Sequence, residues 1–192
     1  MENDNTERPA LLIIDMVKDN FIEEKNLPIT PFARMIIPPV NAIASIFREH
    51  GWPVVFSTDS FNKDDFIFMG RMKPHSISGT EGAEIVEEID RKKEDYWLPK
   101  PRFSAFFKTD LDKWLRKRGV TLCAVSGIAT NFCVLTTVID AICHNFKSVL
   151  LEDCTAASSE KIHEQTLDTY RFNPLYPLLR FISSSELLKE LL

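Results

Sequence analysis

The stretch Cys123-Ala-Val-Ser-Gly-Ile-Ala-Thr-Asn-Phe-Cys133-Val decides the fold of this chain. Its first five residues have the small and apolar character of a strand that is buried on both faces. Small residues then predict a tight turn, which places Cys133 in the first turn of a helix. The first N–H groups of a helix lack partners within the helix and carry the positive end of its dipole. Both effects favour the thiolate of Cys133, which is the nucleophilic form.

Apolar runs and amphipathic segments alternate along the rest of the chain. Strands are predicted over Ala10–Asp15, Pro53–Thr58, Tyr96–Lys100, Cys123–Gly127, Lys147–Glu152 and Leu178–Ile182. Helical spacing predicts helices over 36–50, 81–90, 109–118, 131–145 and 158–170, and a short helix at the end. This alternation indicates a mainly parallel sheet with helices on both faces. We therefore predict one α/β domain over 1–192, a three-layer α/β/α sandwich with about six Rossmann-like strands, and flexible residues 1–8.

Composition and charge limit the classes of partner. The net charge is −5, and the lysines and arginines are dispersed, which argues against nucleic acid or an anionic membrane as the main partner. The first eight residues are polar and acidic, unlike a signal peptide. We therefore predict a cytoplasmic protein, and in that compartment the four cysteines, at 123, 133, 143 and 154, are expected to be free thiols.

The carboxyl ends of the predicted strands carry complementary titratable groups. The first strand ends in Asp15, the second in Asp59 and the third in Lys100, while the central strand leads to Cys133. In open α/β sheets, ligands bind beyond these strand ends. A carboxylate there can take the proton of a thiol, and a lysine between them stabilises both anions. The residues themselves therefore predict an activated thiol with acid–base partners.

Four motifs in this order resemble the isochorismatase-like cysteine hydrolases, a superfamily that includes nicotinamidases, N-carbamoylsarcosine amidases, ureidoacrylate amidohydrolases and isochorismatases. The motifs are Leu11-Leu-Ile-Ile-Asp15, Pro74-His-Ser-Ile-Ser-Gly-Thr-Glu-Gly-Ala-Glu84, Lys100-Pro-Arg-Phe-Ser-Ala-Phe106 and Gly127-Ile-Ala-Thr-Asn-Phe-Cys133-Val. The resemblance implies the isochorismatase-like hydrolase fold and a catalytic triad of Asp15, Lys100 and Cys133. It also implies a cis peptide between Ile128 and Ala129, and an oxyanion hole formed by the N–H groups of Ala129 and Cys133.

The resemblance further implies a hydrolase that cleaves a C–N bond through a thioester on the cysteine. A small amide, carbamoyl or ureido compound is the expected substrate, and no cofactor is expected. The alternatives are vinyl-ether hydrolysis of the isochorismatase type, nicotinamidase activity, and a thiol-redox or small-molecule-binding protein. Relatives assemble, so a homodimer or homotetramer is expected.

The chain departs from nicotinamidases at positions that bear on metal and substrate. Phe61 stands where those enzymes have a ligand histidine, and Asp59 with His75 would be two donors, whereas zinc sites use at least three. We therefore predict no bound metal and a loop-fixing hydrogen bond for His75. Met72 stands near the position of the expected nicotinamide-stacking tryptophan, which makes nicotinamidase a weaker candidate.

Several further residues are candidates for the substrate pocket. We place Phe21, Asp59, Phe61, His75 and Thr130 there, although the first loop leaves open whether Phe21 or Asn20 faces the pocket. Arg71 and Arg102 could bind a substrate carboxylate, or could simply be solvated. Further phenylalanines could line an aromatic pocket or belong to the core or a subunit interface, namely 66, 68, 103, 106 and 107.

Overall fold

The computed structural model describes residues 7–192 and contains one six-stranded sheet in which all the strand pairs are parallel. The spatial order of the strands is β3-β2-β1-β4-β5-β6. The strands are β1 (Pro9–Ile14), β2 (Val54–Asp59), β3 (Tyr96–Lys100), β4 (Leu122–Ile128), β5 (Lys147–Ala156) and β6 (Leu179–Ile182). The predicted parallel α/β sheet is thereby confirmed.

Helices cover both faces of the sheet. They are α1 (Thr30–Glu49), α2 (Leu111–Arg116), α3 (Leu135–Cys143), α4 (Glu160–Tyr170) and α5 (Ser184–Leu191). Successive strand residues point to opposite faces. In β1, Leu11 and Ile13 belong to the core under α1 and α5, while Leu12 and Ile14 belong to the core under α2, α3 and α4. The continuous apolar run of β1 follows from burial on both faces.

Helix α1 begins earlier than its sequence pattern predicts. It starts at Thr30 instead of residue 36 and continues through Pro38 and Pro39. A proline inside a helix costs about 3 kcal/mol, because it removes an N–H group and clashes with the preceding turn. Ile36, Ile37 and Val40 are buried around the two prolines. Each buried aliphatic side chain contributes about 1.5–3 kcal/mol, so tertiary packing outweighs the cost.

The predicted helix over 81–90 is wrong. The structure has only a short 3₁₀ turn at Glu81–Ala83, followed by an irregular segment. The Val86 N–H donates to Met16 O at 3.0 Å, and the side chains of Val86 and Ile89 are buried. Beyond its own short turns, this segment therefore bonds to the loop after β1 and to Asn41 of α1, which sequence periodicity alone does not reveal.

The predicted flexible segment 1–8 falls mostly on residues 1–6, which lie outside the described residues. Arg8, at its end, donates its N–H to Thr121 Oγ1 at 2.9 Å, and its carbonyl accepts from Thr121 N–H at 2.9 Å. These bonds connect the approach to β1 with the start of β4. Among residues 7–192, no helix combines the length and apolar character that crossing a bilayer requires.

Candidate active site

Four buried side chains meet at the carboxyl edge of the sheet. Asp15 follows β1, Asp59 ends β2, Lys100 ends β3 and Cys133 follows β4. Their exposed fractions are 3%, 6%, 0% and 7%, respectively. Asp59 and Lys100 are register partners in the ladder between β2 and β3. The structure therefore brings together all four residues that the strand-end argument names, including Asp59, which the predicted triad does not contain.

The ammonium of Lys100 connects the two carboxylates. Its Nζ donates to Asp15 Oδ2 at 2.9 Å and also to Asp59 Oδ1. The backbone N–H of Asp59 donates to Asp15 Oδ1 at 2.7 Å, so both oxygens of Asp15 are held. Cys133 Sγ and one carboxylate oxygen from each aspartate lie within 4.8 Å of one another. The thiol therefore has an anchored proton acceptor beside it.

Burial and charge shift the pKa values of Asp59, Lys100 and Cys133. Burial, and after it the charge of Asp15, raises the pKa of Asp59 to about 7. Burial alone would lower the pKa of Lys100, but the charges of Asp15, Cys133 and Asp59 outweigh it and raise that pKa. Lys100 is therefore held as an ammonium among these buried acidic groups.

The pKa of Cys133 corrects one expectation from the sequence. Burial raises it well above the usual value for a thiol, Lys100 opposes this, and the charges of Asp15 and Asp59 raise it further. The sequence predicts that the start of the helix favours the thiolate, but the pKa of the buried thiol is raised, mainly by burial. A raised pKa favours the neutral thiol, and the Asp15 carboxylate lies beside it as a possible proton acceptor.

The turn between β4 and α3 explains why the motif begins with glycine. Gly127 has a φ of +99°, and a Cβ there would lie 2.1 Å from Ile14 O. Only glycine permits this approach between β4 and β1. The Ile128–Ala129 peptide bond is cis. A π-helical turn over Thr130–Val134 follows and carries Cys133, so the regular helix begins only at Leu135 rather than at residue 131.

A cavity of about 280 Å³ opens onto these groups. It is lined by Asp15, Asn20, Ile29, Asp59, Met72, His75, Phe103, Ile128, Ala129, Asn131, Phe132, Cys133 and Ser158. Ala129 and Cys133 thus both lie on its wall. Of the five predicted pocket residues, only Asp59 and His75 line it. Phe21, Phe61 and Thr130 do not, each for an identifiable reason.

The first loop presents Asn20 to the cavity instead of Phe21. The Asn20 side-chain amide donates to Asp15 O at 3.0 Å, while Phe21 is buried in the core that packs against α1. The alternative that the sequence left open is therefore settled in favour of Asn20. Burial of the larger apolar ring offers the greater free-energy gain, and the amide can satisfy a backbone carbonyl at the cavity wall.

Phe61 and Thr130 face away from the cavity. Phe61 is fully buried and packs edge-on against Phe68 and His75, with ring centroids 5.6 and 5.4 Å apart. The Thr130 hydroxyl lies 2.8 Å from Nδ1 of His163 on α4, which fixes the turn from its outer side. Both residues therefore support the cavity wall without touching its contents.

Several lining residues were missed or only loosely indicated by the sequence. Phe103 and Phe132 form an aromatic wall in which the rings pack edge to face with centroids 4.7 Å apart. Phe103 was one of the phenylalanines considered for the pocket. Ser158 follows β5, which extends to Ala156 instead of ending at Glu152. The strand-end rule would have indicated Ser158 if the end of β5 had been predicted correctly.

The donors around the cavity do not form a good metal site. His75 Nδ1–H donates to Lys73 O at 2.9 Å, which is the loop-fixing bond expected for it. Within residues 7–192, the single cluster of potential metal donors consists of Asp15, Asp59 and Cys133. The Lys100 ammonium already binds both of these carboxylates and supplies the positive charge that a cation would provide. The chemistry of this cluster is therefore that of an ion-paired thiol site.

Comparison with known proteins gives a consistent picture. The Isochorismatase family, described as the isochorismatase domain, matches residues 9–178. A probable inactive nicotinamidase of Arabidopsis thaliana is 36% identical over 167 residues, which cover 80% of this chain and 83% of that protein. The pyrazinamidase of Pyrococcus horikoshii in complex with zinc superposes with a TM-score of 0.81 at 29% identity, covering 92% of this chain and 99% of that one.

The N-carbamoylsarcosine amidase from Thermoplasma acidophilum superposes with a TM-score of 0.78, again at 29% identity. The match covers 92% of this chain and 96% of the amidase. Sequence and structure therefore agree over nearly the whole described region, including the strand ends that hold the buried cluster. This chain belongs to the isochorismatase family of hydrolases.

Proposed function

We propose that this protein is a cysteine-dependent hydrolase that cleaves a C–N bond of a small amide, carbamoyl or ureido compound. The observation that carries the proposal is the buried cluster of Cys133, Asp15 and Lys100, in which Cys133 and Asp15 line a cavity of about 280 Å³ and Lys100 lies behind them. A nucleophile, a base and a fixed cation within reach of one another are the parts that covalent acyl transfer needs.

In the first half of the reaction, Asp15 accepts the Sγ proton and the sulfur attacks the carbonyl carbon of the substrate. The carbonyl oxygen gains negative charge and accepts hydrogen bonds from the N–H groups of Ala129 and Cys133. Each donor to such an oxyanion is worth about 3 kcal/mol of barrier. Asp15 then protonates the leaving nitrogen, the C–N bond breaks, and a thioester to Cys133 remains.

In the second half, water attacks the thioester carbonyl and Asp15 accepts a proton from that water. The C–S bond breaks, the acid product forms, and the proton returns from Asp15 to the sulfur. Lys100 stays protonated throughout, which compensates for the alternating charge of Asp15. A neutral resting thiol fits this cycle, because its proton has to move only from Sγ of Cys133 to the neighbouring Asp15 carboxylate.

A second candidate is hydrolysis of an aromatic carboxamide of the nicotinamide type. The edge-to-face pair of Phe103 and Phe132 favours it, because a flat ring can pack against such a wall. Met72 stands near the position where the resemblance to nicotinamidases implies a stacking tryptophan, so this packing would differ from that in nicotinamidases.

Release of ammonia from nicotinamide, carbamoyl and ureido compounds tests the proposal. Cys133→Ala should abolish turnover and leave the circular dichroism spectrum unchanged. Cys143→Ala, at the exposed end of α3, is the matched control and should keep full activity. Mass spectrometry should find the acyl adduct on Cys133. Turnover by Cys133→Ala would refute covalent catalysis, and activity lost to a chelator and restored by zinc would refute the assignment without metal.

A further inference from the structure

The cavity walls carry negative charge without a matching free cation. Asp15 and Asp59 both reach the lining, whereas the other polar lining side chains are Asn20, Asn131, Ser158 and His75. Within the described residues, the lining contains no arginine or lysine. Lys100 lies behind the wall with no exposed surface, and its ammonium is bound to the two carboxylates.

The two arginines that the sequence offered for a substrate carboxylate lie elsewhere. Arg102 Nη1 pairs with Asp65 Oδ2 at 2.9 Å, and its side chain borders a separate surface groove along α3. Arg71 is exposed and does not line the cavity. Neither guanidinium therefore lines the cavity.

The side chains of Asn20, Asn131 and Ser158 can donate hydrogen bonds to a substrate, but none of them carries a positive charge. The Nδ1–H group of His75 is used by Lys73 O, so in the neutral ring Nε2 is an acceptor. The N–H groups of Ala129 and Cys133 belong to the reacting carbonyl in the proposed reaction. A second, carboxylate-bearing part of a substrate would therefore lose its water and face two aspartates without a counter-ion.

We propose that this site selects uncharged amides and discriminates against amides that carry a carboxylate, with the apolar part of the substrate packed on Phe103 and Phe132. This inference rests on the proposed function. Among carbamoyl and ureido compounds, it favours those without an acid group. Like charges brought together across an interface are strongly unfavourable, and an unpaired buried ion adds to that. We expect a penalty of at least about 100-fold in kcat/KM.

Matched pairs of substrates test this selection. The pairs are nicotinamide with 5-carbamoylnicotinic acid, and the methyl ester of N-carbamoylglycine with N-carbamoylglycine itself. Ammonia release at pH 8, where an ordinary histidine is uncharged, gives kcat/KM for each compound. The neutral member of at least one pair should be favoured by at least about 100-fold. Equal or faster turnover of the acid members would overturn the inference.

A cation added to the wall provides a second measurement. Met72→Arg should raise kcat/KM for the acid members and so reduce the ratio of neutral to acid kcat/KM by at least about tenfold. The uncharged variant Met72→Gln should leave this ratio unchanged. Calorimetry with the Cys133→Ala variant measures how tightly each compound binds, independently of its turnover. If wild-type protein releases no ammonia from any compound, the proposed function fails, but tighter binding of the neutral members would still support the selection. Tighter binding of the acids, or binding of neither, would overturn it.

Discussion

Replacing Asp59 by asparagine removes one of the two carboxylates that share the Lys100 ammonium. In the wild-type site, the negative charge of Asp59 raises the pKa of Cys133. Asp59 also accepts a hydrogen bond from the Lys100 ammonium, whose charge would otherwise be more available to stabilise a thiolate. Asparagine keeps the size and can accept the same hydrogen bond, but carries no charge. The pKa of Cys133 should therefore fall, and the thiolate should be more populated at a given pH.

The size of the effect follows from the distance. The Asp59 carboxylate and Cys133 Sγ lie within 4.8 Å of each other. Two unit charges at this separation interact by about 3 kcal/mol at an effective dielectric constant of about 20, which is equivalent to about 100-fold in an equilibrium. In the variant, Lys100 will bind Asp15 more closely, which reduces the increase in thiolate population. We expect a 10- to 100-fold increase in thiolate population at pH 8, above the pKa of about 7 of Asp59.

Alkylation by iodoacetamide measures the thiolate directly. The experiment uses a Cys143→Ser background, because Cys143 is the exposed cysteine, whereas Cys123 and Cys154 are buried. Asp59→Asn should raise the alkylation rate by at least about tenfold, and the surface replacement Asp112→Asn should leave it unchanged. An unchanged or slower rate in a folded Asp59→Asn protein would show that Asp59 does not govern the charge of the thiol.

Three further replacements test, by urea unfolding, a buried ion pair, a close backbone contact and a helix cap. Lys100→Met should lower the free energy of unfolding by about 3–5 kcal/mol at pH 7, because two buried carboxylates lose their cation. Part of this loss should disappear at pH 5, where the raised pKa of Asp59 lets that carboxylate protonate, and an equal loss at both pH values would contradict the ion-pair account. Gly127→Ala should lower the free energy of unfolding by more than about 4 kcal/mol, because the new Cβ would collide with Ile14 O. The control Gly79→Ala, also at positive φ but in open space, should lower it by about 1–2 kcal/mol. Similar losses in the two variants would contradict the steric argument. Ser183→Ala removes the capping box of α5 and should cost about 1 kcal/mol without changing activity, and no loss would mean that the cap is dispensable.

Sequence patterns were sufficient for the sheet and for the residues at its carboxyl edge. Each buried strand is a local run of apolar residues, and the alternation with helices implies parallel order. The ends of parallel strands meet at one edge, so Asp15, Lys100 and the turn to Cys133 could be brought together from the sequence alone. The glycine of the motif was likewise readable as a turn, although its reason, the approach to Ile14, was not.

The three-dimensional packing alone decided how this cluster is charged and what surrounds it. The choice between Asn20 and Phe21, the outward turn of Thr130 and the second carboxylate on Lys100 depend on distances between residues far apart in the chain. The same is true of the neutral thiol, since burial opposes a charge that the helix start favours. Sequence alone thus determined which groups meet, because each strand is marked by a local apolar run and parallel strands end at one edge of the sheet. Their protonation and the charge of the cavity depend on depth of burial, which only the folded structure defines.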